Sequence, residues 1–212
     1  MIIAVDGPGG SGKSTVSRKL ARRLGWLHLD TGAFYRAATL AVLRAGISPN
    51  ANAEVTGEVR VHTFLQESGR MYLDGKDVSV DIRSAEVTAD VSAVAALPEV
   101  RRLMVAHQRA WVAGHGGDVV VEGRDIGTVV FPEADLKIWL SASAEERARR
   151  RALQTGEDPD IVLKELDRRD RADSGRKVSP LTPAEDAIHM DTTGMNVDEV
   201  VDRIVNLINQ KT

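Results

Sequence analysis

The chain has 212 residues, of which 42% are hydrophobic and 28% charged, and this composition excludes a wholly disordered protein. Its 28 basic and 31 acidic residues leave a net charge of −3, which excludes a global basic field for nucleic acid or anionic membranes. The chain has no cysteine, which excludes disulfides, a cysteine zinc site and a thiol nucleophile. No apolar run approaches the roughly 18 residues of a membrane span, and the run over residues 1–5 is not a signal peptide. We therefore expect a monomeric cytoplasmic protein of one domain, without nucleic acid or membrane partners.

Strand and helix patterns alternate along the chain, which predicts an α/β fold with a mainly parallel sheet. Short apolar runs typical of buried strands cover residues 2–5, 26–29, 119–121, 136–140 and 188–190. Helical spacing of apolar residues covers residues 13–24 and 34–44. Two further helices are predicted to begin after Ser143 and after Asn196, because each is followed three residues later by a glutamate, as in a capping box.

Two stretches do not fit this alternation. Residues 47–83 have weak periodicity, and their Asp74-Gly75 pair is typical of a turn between hairpin strands, so we expect an insertion with a small antiparallel ribbon. Residues 156–183 are dominated by charge and contain few large apolar residues. Such a stretch cannot bury enough surface to pack tightly, which predicts a mobile flap.

A glycine-rich stretch between the first strand and the first helix carries the strongest chemical signal. It matches the phosphate-binding loop pattern G-x-x-x-x-G-K-[ST] in the required context. The loop consists of Gly7, Pro8, Gly9, Gly10, Ser11, Gly12, Lys13, Ser14 and Thr15. Glycines let successive backbone N–H groups point at an anion, and the helix N-terminus adds its positive dipole end. Lys13 is a point charge for the β- and γ-phosphates, and the Ser14 hydroxyl can ligate Mg²⁺, so the loop predicts a nucleoside triphosphate site.

The loop alone does not separate a kinase from a GTPase or a mechanical ATPase. Guanine-specific GTPases read their base with an Asn-Lys-x-Asp segment, and no asparagine of this chain is followed by lysine. Large ATPases need partner domains for which the chain has no room. A small-molecule kinase is favoured. A different small acceptor, such as UMP or AMP, and a non-catalytic nucleotide switch remain as alternatives.

Arginines outside the loop follow predicted strands. Arg36 ends the run Asp-Thr-Gly-Ala-Phe-Tyr-Arg after the second strand, and Arg124 opens the run Arg-Asp-Ile-Gly-Thr after the third. Ligands of open α/β sheets bind at these carboxyl ends of strands. Arg149 and Arg168, in contrast, are equally well explained as parts of a solvated helix face.

These runs resemble the bacterial cytidylate kinases of the nucleoside monophosphate kinase family. The resemblance extends to the Ile82-Arg83 pair, to residues 92–101, and to the pattern Arg169-x-x-x-Asp173-x-x-Arg176 before Pro180-Leu181. The resemblance covers essentially the whole chain. It implies a P-loop three-layer α/β fold with a central parallel sheet, and a kinase that uses ATP and Mg²⁺ to phosphorylate CMP and dCMP. The single domain would have a core over about 1–46, 84–155 and 184–212, a monophosphate-binding insertion over 47–83 and a mobile lid over 156–183.

The resemblance also implies roles for individual residues. The catalytic residues would be Lys13, Arg124, Arg169 and Arg176. ATP would bind the nine loop residues together with Arg147 and Arg151. The residues that hold the acceptor phosphate would be Thr31, Arg36, Arg124 and Arg176. Those that read the cytosine ring would be Ser92, Arg101 and Asp125, and those that contact the ribose would be Arg169 and Asp173.

The chain departs from many relatives at two of these positions. It has Ser14 where glycine is common, which adds a hydroxyl, and Thr31 where serine is common, which keeps the hydroxyl. The 47–83 insertion is also shorter than in some relatives. Glu122, at the end of a predicted strand, is a candidate carboxylate for Mg²⁺, and a strand-terminal charge in solvent is an equally good interpretation.

Overall fold

The computed structural model describes residues 1–176 and 178–211, which form two compact units. The first unit comprises Met1–His28 and Gly117–Thr212, and the second comprises Leu29–Gly116. No helix of the described residues is long and apolar enough to cross a membrane.

A five-stranded parallel sheet lies at the centre of the fold. Its strands are β1 (Ile2–Asp6), β2 (Leu27–Asp30), β6 (Val119–Glu122), β7 (Leu136–Ser141) and β8 (Ile188–Asp191), in the order β2-β6-β1-β7-β8. Ile3 of β1 is in register with Val120 of β6 and Leu136 of β7. Because β1 and β6 are buried on both faces, their sequences are continuous apolar runs rather than alternating ones. All five predicted strands are confirmed, the second one residue later than predicted.

Helices flank this sheet in the first unit. They are α1 (Lys13–Leu24), α6 (Ala144–Thr155), α7 (Pro159–Ser174) and α8 (Val197–Asn209). Leu20 of α1 and Ile204 of α8 lie in one apolar core with the strands. The predicted capping box of α8 is complete, because the Asn196 side chain accepts from the Glu199 N–H and the Glu199 carboxylate accepts from the Asn196 N–H.

The second unit combines helices with a small antiparallel sheet. Its elements are α2 (Thr31–Arg44), α3 (Asn52–Val61), β3 (Phe64–Glu67), β4 (Arg70–Leu73), β5 (Lys76–Asp77), α4 (Ala85–Ala96) and α5 (Pro98–His115). Asp74 and Gly75 join β4 to its antiparallel neighbour β5, which confirms the predicted ribbon. Helix α2 begins three residues earlier than predicted, because the Asp30 carboxylate caps it by accepting from the Ala33 N–H at 3.1 Å.

The charged stretch 156–183, of which residue 177 lies outside the described residues, contains a helix that its composition did not predict. Most of it forms α7. The Asp158 side chain caps this helix, and Pro159 is the first helical residue. Val162 and Leu166 are buried against Ala148 and Ala152 of α6. Two apolar residues one turn apart therefore dock this helix on its neighbour, although the stretch contains few large apolar residues. The predicted mobility of the stretch stays a prediction.

Candidate active site

The phosphate loop connects β1 to α1 and follows the strand closely. A side chain at Gly7 would place its Cβ 2.1 Å from the Leu140 carbonyl oxygen of β7, so only glycine fits there. Gly12, with a φ of 91°, precedes α1 without a capping side chain, which leaves the N-terminal N–H groups of the helix to other acceptors. The predicted context of the loop, between a buried strand and a helix, is thereby confirmed.

Lys13 lies inside the loop. Its Nζ donates to the Pro8 carbonyl oxygen at 2.6 Å. Burial, with a further contribution from nearby Arg124, lowers the pKa of Lys13 to about 7, and Glu122 partly opposes this shift. Arg169 also lowers this pKa. Several cations therefore converge near the loop, an arrangement that an added anion would stabilise.

Glu122 connects two side chains beside the loop. Its Oε2 accepts from the Ser14 Oγ at 2.7 Å, and its Oε1 lies 3.0 Å from His28 Nε2. Glu122 is only 2% exposed, so its interpretation as a solvent-facing charge is wrong. A hydroxyl next to a buried carboxylate supplies the hard oxygen ligands that Mg²⁺ prefers, and the residues present therefore fit the metal that the sequence predicts.

A buried aspartate positions the segment that carries Arg124 and Asp125. Residues Ile126–Val130 form a single π-helical turn, and Asp6 at the end of β1 accepts from the N–H groups of Ile126 at 2.9 Å and Gly127 at 2.8 Å. Burial raises the pKa of Asp6 to about 6 in spite of these two bonds. Asp6 was not singled out from the sequence, because a charge at the end of a strand carries no sign of its distant partners.

The arginines around the loop form one ionic cluster. Arg124 Nη1 lies 3.1 Å from Asp170 Oδ1 and 2.7 Å from Asp173 Oδ2. Arg147 Nη1 donates to the Gly9 carbonyl oxygen at 2.9 Å and pairs with Asp170, while Arg176 pairs with Asp173. The structure therefore brings together four predicted site residues: Arg124, Arg147, Asp173 and Arg176.

Two further arginines of α6 lie outside this ionic cluster. Arg151, which the resemblance assigns to the triphosphate, makes no ion pair or side-chain hydrogen bond within residues 1–176 and 178–211. Its neighbour Arg150, which had no predicted role, donates to the Thr192 hydroxyl at 3.0 Å and to the Thr192 carbonyl at 2.6 Å. Arg150 thus fastens α6 to the segment after β8.

Asp170 is the residue of this cluster that the sequence analysis missed. Its Oδ1 accepts from the Gly9 N–H at 3.0 Å as well as from Arg124. The available signal was its position three residues before Asp173, which puts both carboxylates on one face of α7.

The second unit holds the other predicted acceptor residues. Thr31 is buried at the start of α2, and Arg36 of the same helix donates from Nη1 to the Ile82 carbonyl at 3.2 Å and to the Thr88 hydroxyl at 2.9 Å. Arg101, on α5, is 3% exposed and donates to the Ala95 carbonyl.

Further observations in the second unit concern the candidates for reading the base, Arg101 and Ser92, and the residue that precedes α2. The Arg101 guanidinium carbon lies 5.2 Å from the centre of the Tyr35 ring, and Ser92 is half-buried on α4. Gln66 of β3 was missed: its side-chain oxygen accepts from the Asp30 N–H at 2.9 Å, and its carbonyl oxygen accepts from Trp111 Nε1 at 2.6 Å. An alternating strand in the sequence does not reveal such a contact, 36 residues away along the chain.

Comparisons with known proteins place the chain in a family. The family model described as cytidylate kinase matches residues 3–210. The cytidylate kinase of Mycobacterium leprae (strain Br4923) is 51% identical over 217 residues, covering 100% of this chain and 97% of that protein. The cytidylate kinase of Rhodococcus opacus (strain B4) is 49% identical over 221 residues, with 100% and 96% covered.

Solved structures agree in fold at low identity. The crystal structure of TT1252 from Thermus thermophilus has a TM-score of 0.52 at 21% identity and covers 100% of this chain and 97% of its own. An uncharacterised protein from Eubacterium ventriosum ATCC 27560 has a TM-score of 0.58 at 14% identity, with 99% and 98% covered. The α/β fold with a phosphate loop and a central parallel sheet is thus confirmed, and by its match over almost all residues the chain belongs to the cytidylate kinase family.

Proposed function

We propose that this member of the cytidylate kinase family transfers the γ-phosphoryl group of ATP in line to the phosphate of CMP, and that it also accepts dCMP. The observation that carries the proposal is the convergence of Lys13, Arg124 and Arg147 on the phosphate loop at the N-terminus of α1. A triphosphate needs such a concentration of cations and N–H donors, because its charge is spread over several oxygens.

The chemistry requires positioning rather than a protein nucleophile. The acceptor is a phosphate oxygen that is already ionised at pH 7, so no side chain has to remove a proton from it. Lys13 would follow the moving phosphoryl group, while Arg124, Arg169 and Arg176 would neutralise the charge on the donor and acceptor phosphates. The hydrogen bonds that the buried Asp6 accepts from Ile126 and Gly127 would hold Arg124 and Asp125 in place during this transfer.

The residues that would hold Mg²⁺ are Ser14 and the buried Glu122. When bound with ATP, the metal would neutralise charge on the β- and γ-phosphates. His28, at 3.0 Å from Glu122, would orient the carboxylate toward the Ser14 hydroxyl.

The acceptor nucleotide is assigned by family membership and by residue chemistry. Asp125 would accept the exocyclic amine of cytosine, with Arg101 and Ser92 as donors to the ring acceptors. Thr31 and Arg36 would hold the phosphate, and the ribose would contact Arg169 and Asp173. Arg151 is assigned to the triphosphate on the resemblance alone.

The assay that tests the function measures ADP release with ATP and a panel of CMP, dCMP, UMP, AMP and GMP. We expect turnover that is fastest with CMP or dCMP and strictly dependent on an acceptor. Faster turnover with UMP or AMP would show that the protein is a kinase of a different nucleoside monophosphate. Binding of ATP with no turnover of any acceptor would favour the nucleotide switch.

We further propose that the protein works as a cytoplasmic monomer without nucleic acid or membrane partners. The near balance of 28 basic and 31 acidic residues supports the absence of these partners, because neither nucleic acid nor an anionic membrane would be attracted over the whole surface. Sedimentation at micromolar concentration would test the monomer, and a dimer at that concentration would refute it.

A further inference from the structure

Asp170 presents a carboxylate at the phosphate loop. It lies on α7 and is 16% exposed at its side chain, and its two oxygens accept from three donors of the first unit. Oδ1 accepts from the Gly9 N–H at 3.0 Å and from Arg124 Nη1 at 3.1 Å, and Oδ2 pairs with Arg147 Nη1. A backbone N–H of the loop and two arginines are thus all directed at one negatively charged group.

These three donors are of the kind that bind phosphate oxygens. Backbone N–H groups of a glycine-rich loop and guanidinium groups bind phosphate and carboxylate through the same geometry, since both anions present two oxygens. In the proposed function the same loop and the same arginines bind the phosphates of ATP and the acceptor. A donor that is bonded to Asp170 cannot point the same N–H at a phosphate.

The packing of α7 keeps the carboxylate at this position. A Cβ built on Gly9 would lie 3.0 Å from Leu166 Cδ2 and 3.6 Å from Asp170 Oδ1, so the helix lies directly against the loop. Leu166 also anchors α7 to Ala148 and Ala152 of α6. The apolar anchor and the carboxylate are one helical turn apart, which fixes the carboxylate relative to the loop.

We propose that Asp170 is an affinity-determining residue that competes with the triphosphate for the loop N–H and the two arginines. Nucleotide binding then requires Asp170 to leave these donors, and α7 must shift with it. The competition lowers the affinity for ATP and couples its entry to movement of the helix that carries Arg169 and Asp173 and that ends shortly before Arg176. The proposal rests on the proposed function only in naming ATP as the ligand.

The test compares two isosteric variants of α7 in the full chain. Asp170→Asn removes the competing charge and keeps the size of the side chain. Asp167→Asn is the matched control, because Asp167 is 55% exposed and pairs only with Arg171 among the described residues. Calorimetry measures the binding of ATP, and separately of inorganic tripolyphosphate, without any acceptor.

We expect Asp170→Asn to bind both anions roughly tenfold more tightly than the unmodified protein, and Asp167→Asn to bind them as the unmodified protein does. Unchanged affinity in Asp170→Asn would overturn the proposal. Weaker affinity would also overturn it, since the carboxylate would then be holding the arginines in place for the ligand. If Asp170→Asn fails to fold by circular dichroism, Asp170→Ser is measured in its place under the same criteria.

The outcome is independent of the identity of the acceptor. Tighter tripolyphosphate binding in a protein that does not turn over CMP would keep this inference and refute the proposed function. Normal CMP turnover with unchanged affinity in Asp170→Asn would keep the proposed function and refute this inference.

Discussion

Burial decides the role of single charged residues in this protein. Glu122 and Asp6 both end a strand of the central sheet, where a sequence suggests only a charge near the surface. In the structure each is buried and bonded: Glu122 to Ser14 and His28, Asp6 to the turn after Asp125. A buried carboxylate must satisfy its oxygens, so its partners identify what it positions.

We predict that Glu122→Gln raises the Mg²⁺ concentration needed for half-maximal activity by about tenfold. Glutamine keeps the shape and can still accept from Ser14, but it lacks the negative charge that a divalent cation requires. The measurement is a Mg²⁺ titration of CMP-dependent ADP release at fixed ATP. Glu133→Gln, on the exposed segment before β7, is the control. An unaltered Mg²⁺ requirement in Glu122→Gln would remove Glu122 from the metal site.

At the scale of elements, α7 differs from α8 in how it is attached to the first unit. It is attached by the small apolar contact of Val162 and Leu166 and otherwise by ion pairs of Asp170 and Asp173. In α8, by contrast, four buried apolar residues join the core of the sheet. A helix held by a small apolar contact and several ion pairs can exchange its ionic partners when another anion arrives, which suits a lid.

We predict that amides of residues 156–177 exchange faster in the protein alone than with CMP and a non-hydrolysable ATP analogue. The substrates would draw the arginines of α7 toward their phosphates and complete the site, while water is kept from the triphosphate. Hydrogen exchange with mass spectrometry measures this, and the amides of α8 serve as the internal control.

Arg176→Ala should reduce the protection of residues 156–177 by ligand together with turnover. Equal protection of this segment with and without ligands would mean that the arginines belong to a rigid site. The mobility of the lid, like the division into core, insertion and lid, stays a prediction until this is measured.

At the scale of the whole molecule, Asp6 makes the stability depend on pH. The pKa of Asp6 is about 6 in the folded protein, raised from 3.8 mainly by burial and further by the charge of Asp125, whereas Lys13 lowers it. At Asp6 the folded protein therefore binds more protons than the unfolded chain does between these two pH values. The contribution of Asp6 to stability is fully present below about pH 4 and is lost as the pH rises through about 6.

We predict that this loss amounts to about 3 kcal/mol of the free energy of unfolding. Carboxylates with lowered pKa, such as that of Glu146 at about 2 beside Arg149 and Arg150, act in the opposite direction, so a difference must be measured. Urea unfolding at pH 4, 5, 6 and 7 compares the protein with Asp6→Asn. The stability advantage of the unmodified protein over the variant should shrink as the pH rises from 4 to 6. A constant difference over this range would show that Asp6 does not titrate there.

The sequence by itself determined the local features of this protein. Residues 13–24 were predicted as a helix and form α1 with the same bounds, because apolar spacing and glycines at both ends act within one element. The capping box of α8, the turn at Asp74-Gly75 and the phosphate loop are equally local. Much of the region that forms α4 and α5 was left without a predicted helix, because helices in a small packed unit depend on contacts as well as on propensity.

Only the tertiary structure decided which side chains meet. Glu122 lies 108 residues from Ser14, Ile126 lies 120 residues from Asp6, and Asp170 lies 161 residues from Gly9. No sequence period relates such positions, and the composition of residues 156–183 predicted a stretch that does not pack tightly. The parallel sheet brings the ends of β1 and β6 to one edge, and the docking of Leu166 brings Asp170 to the loop. The sequence could place Asp170 on the same helix face as Asp173 but could not show its contact with the phosphate loop, because that contact depends on where folding places the charge and not on which residues stand beside it in the chain.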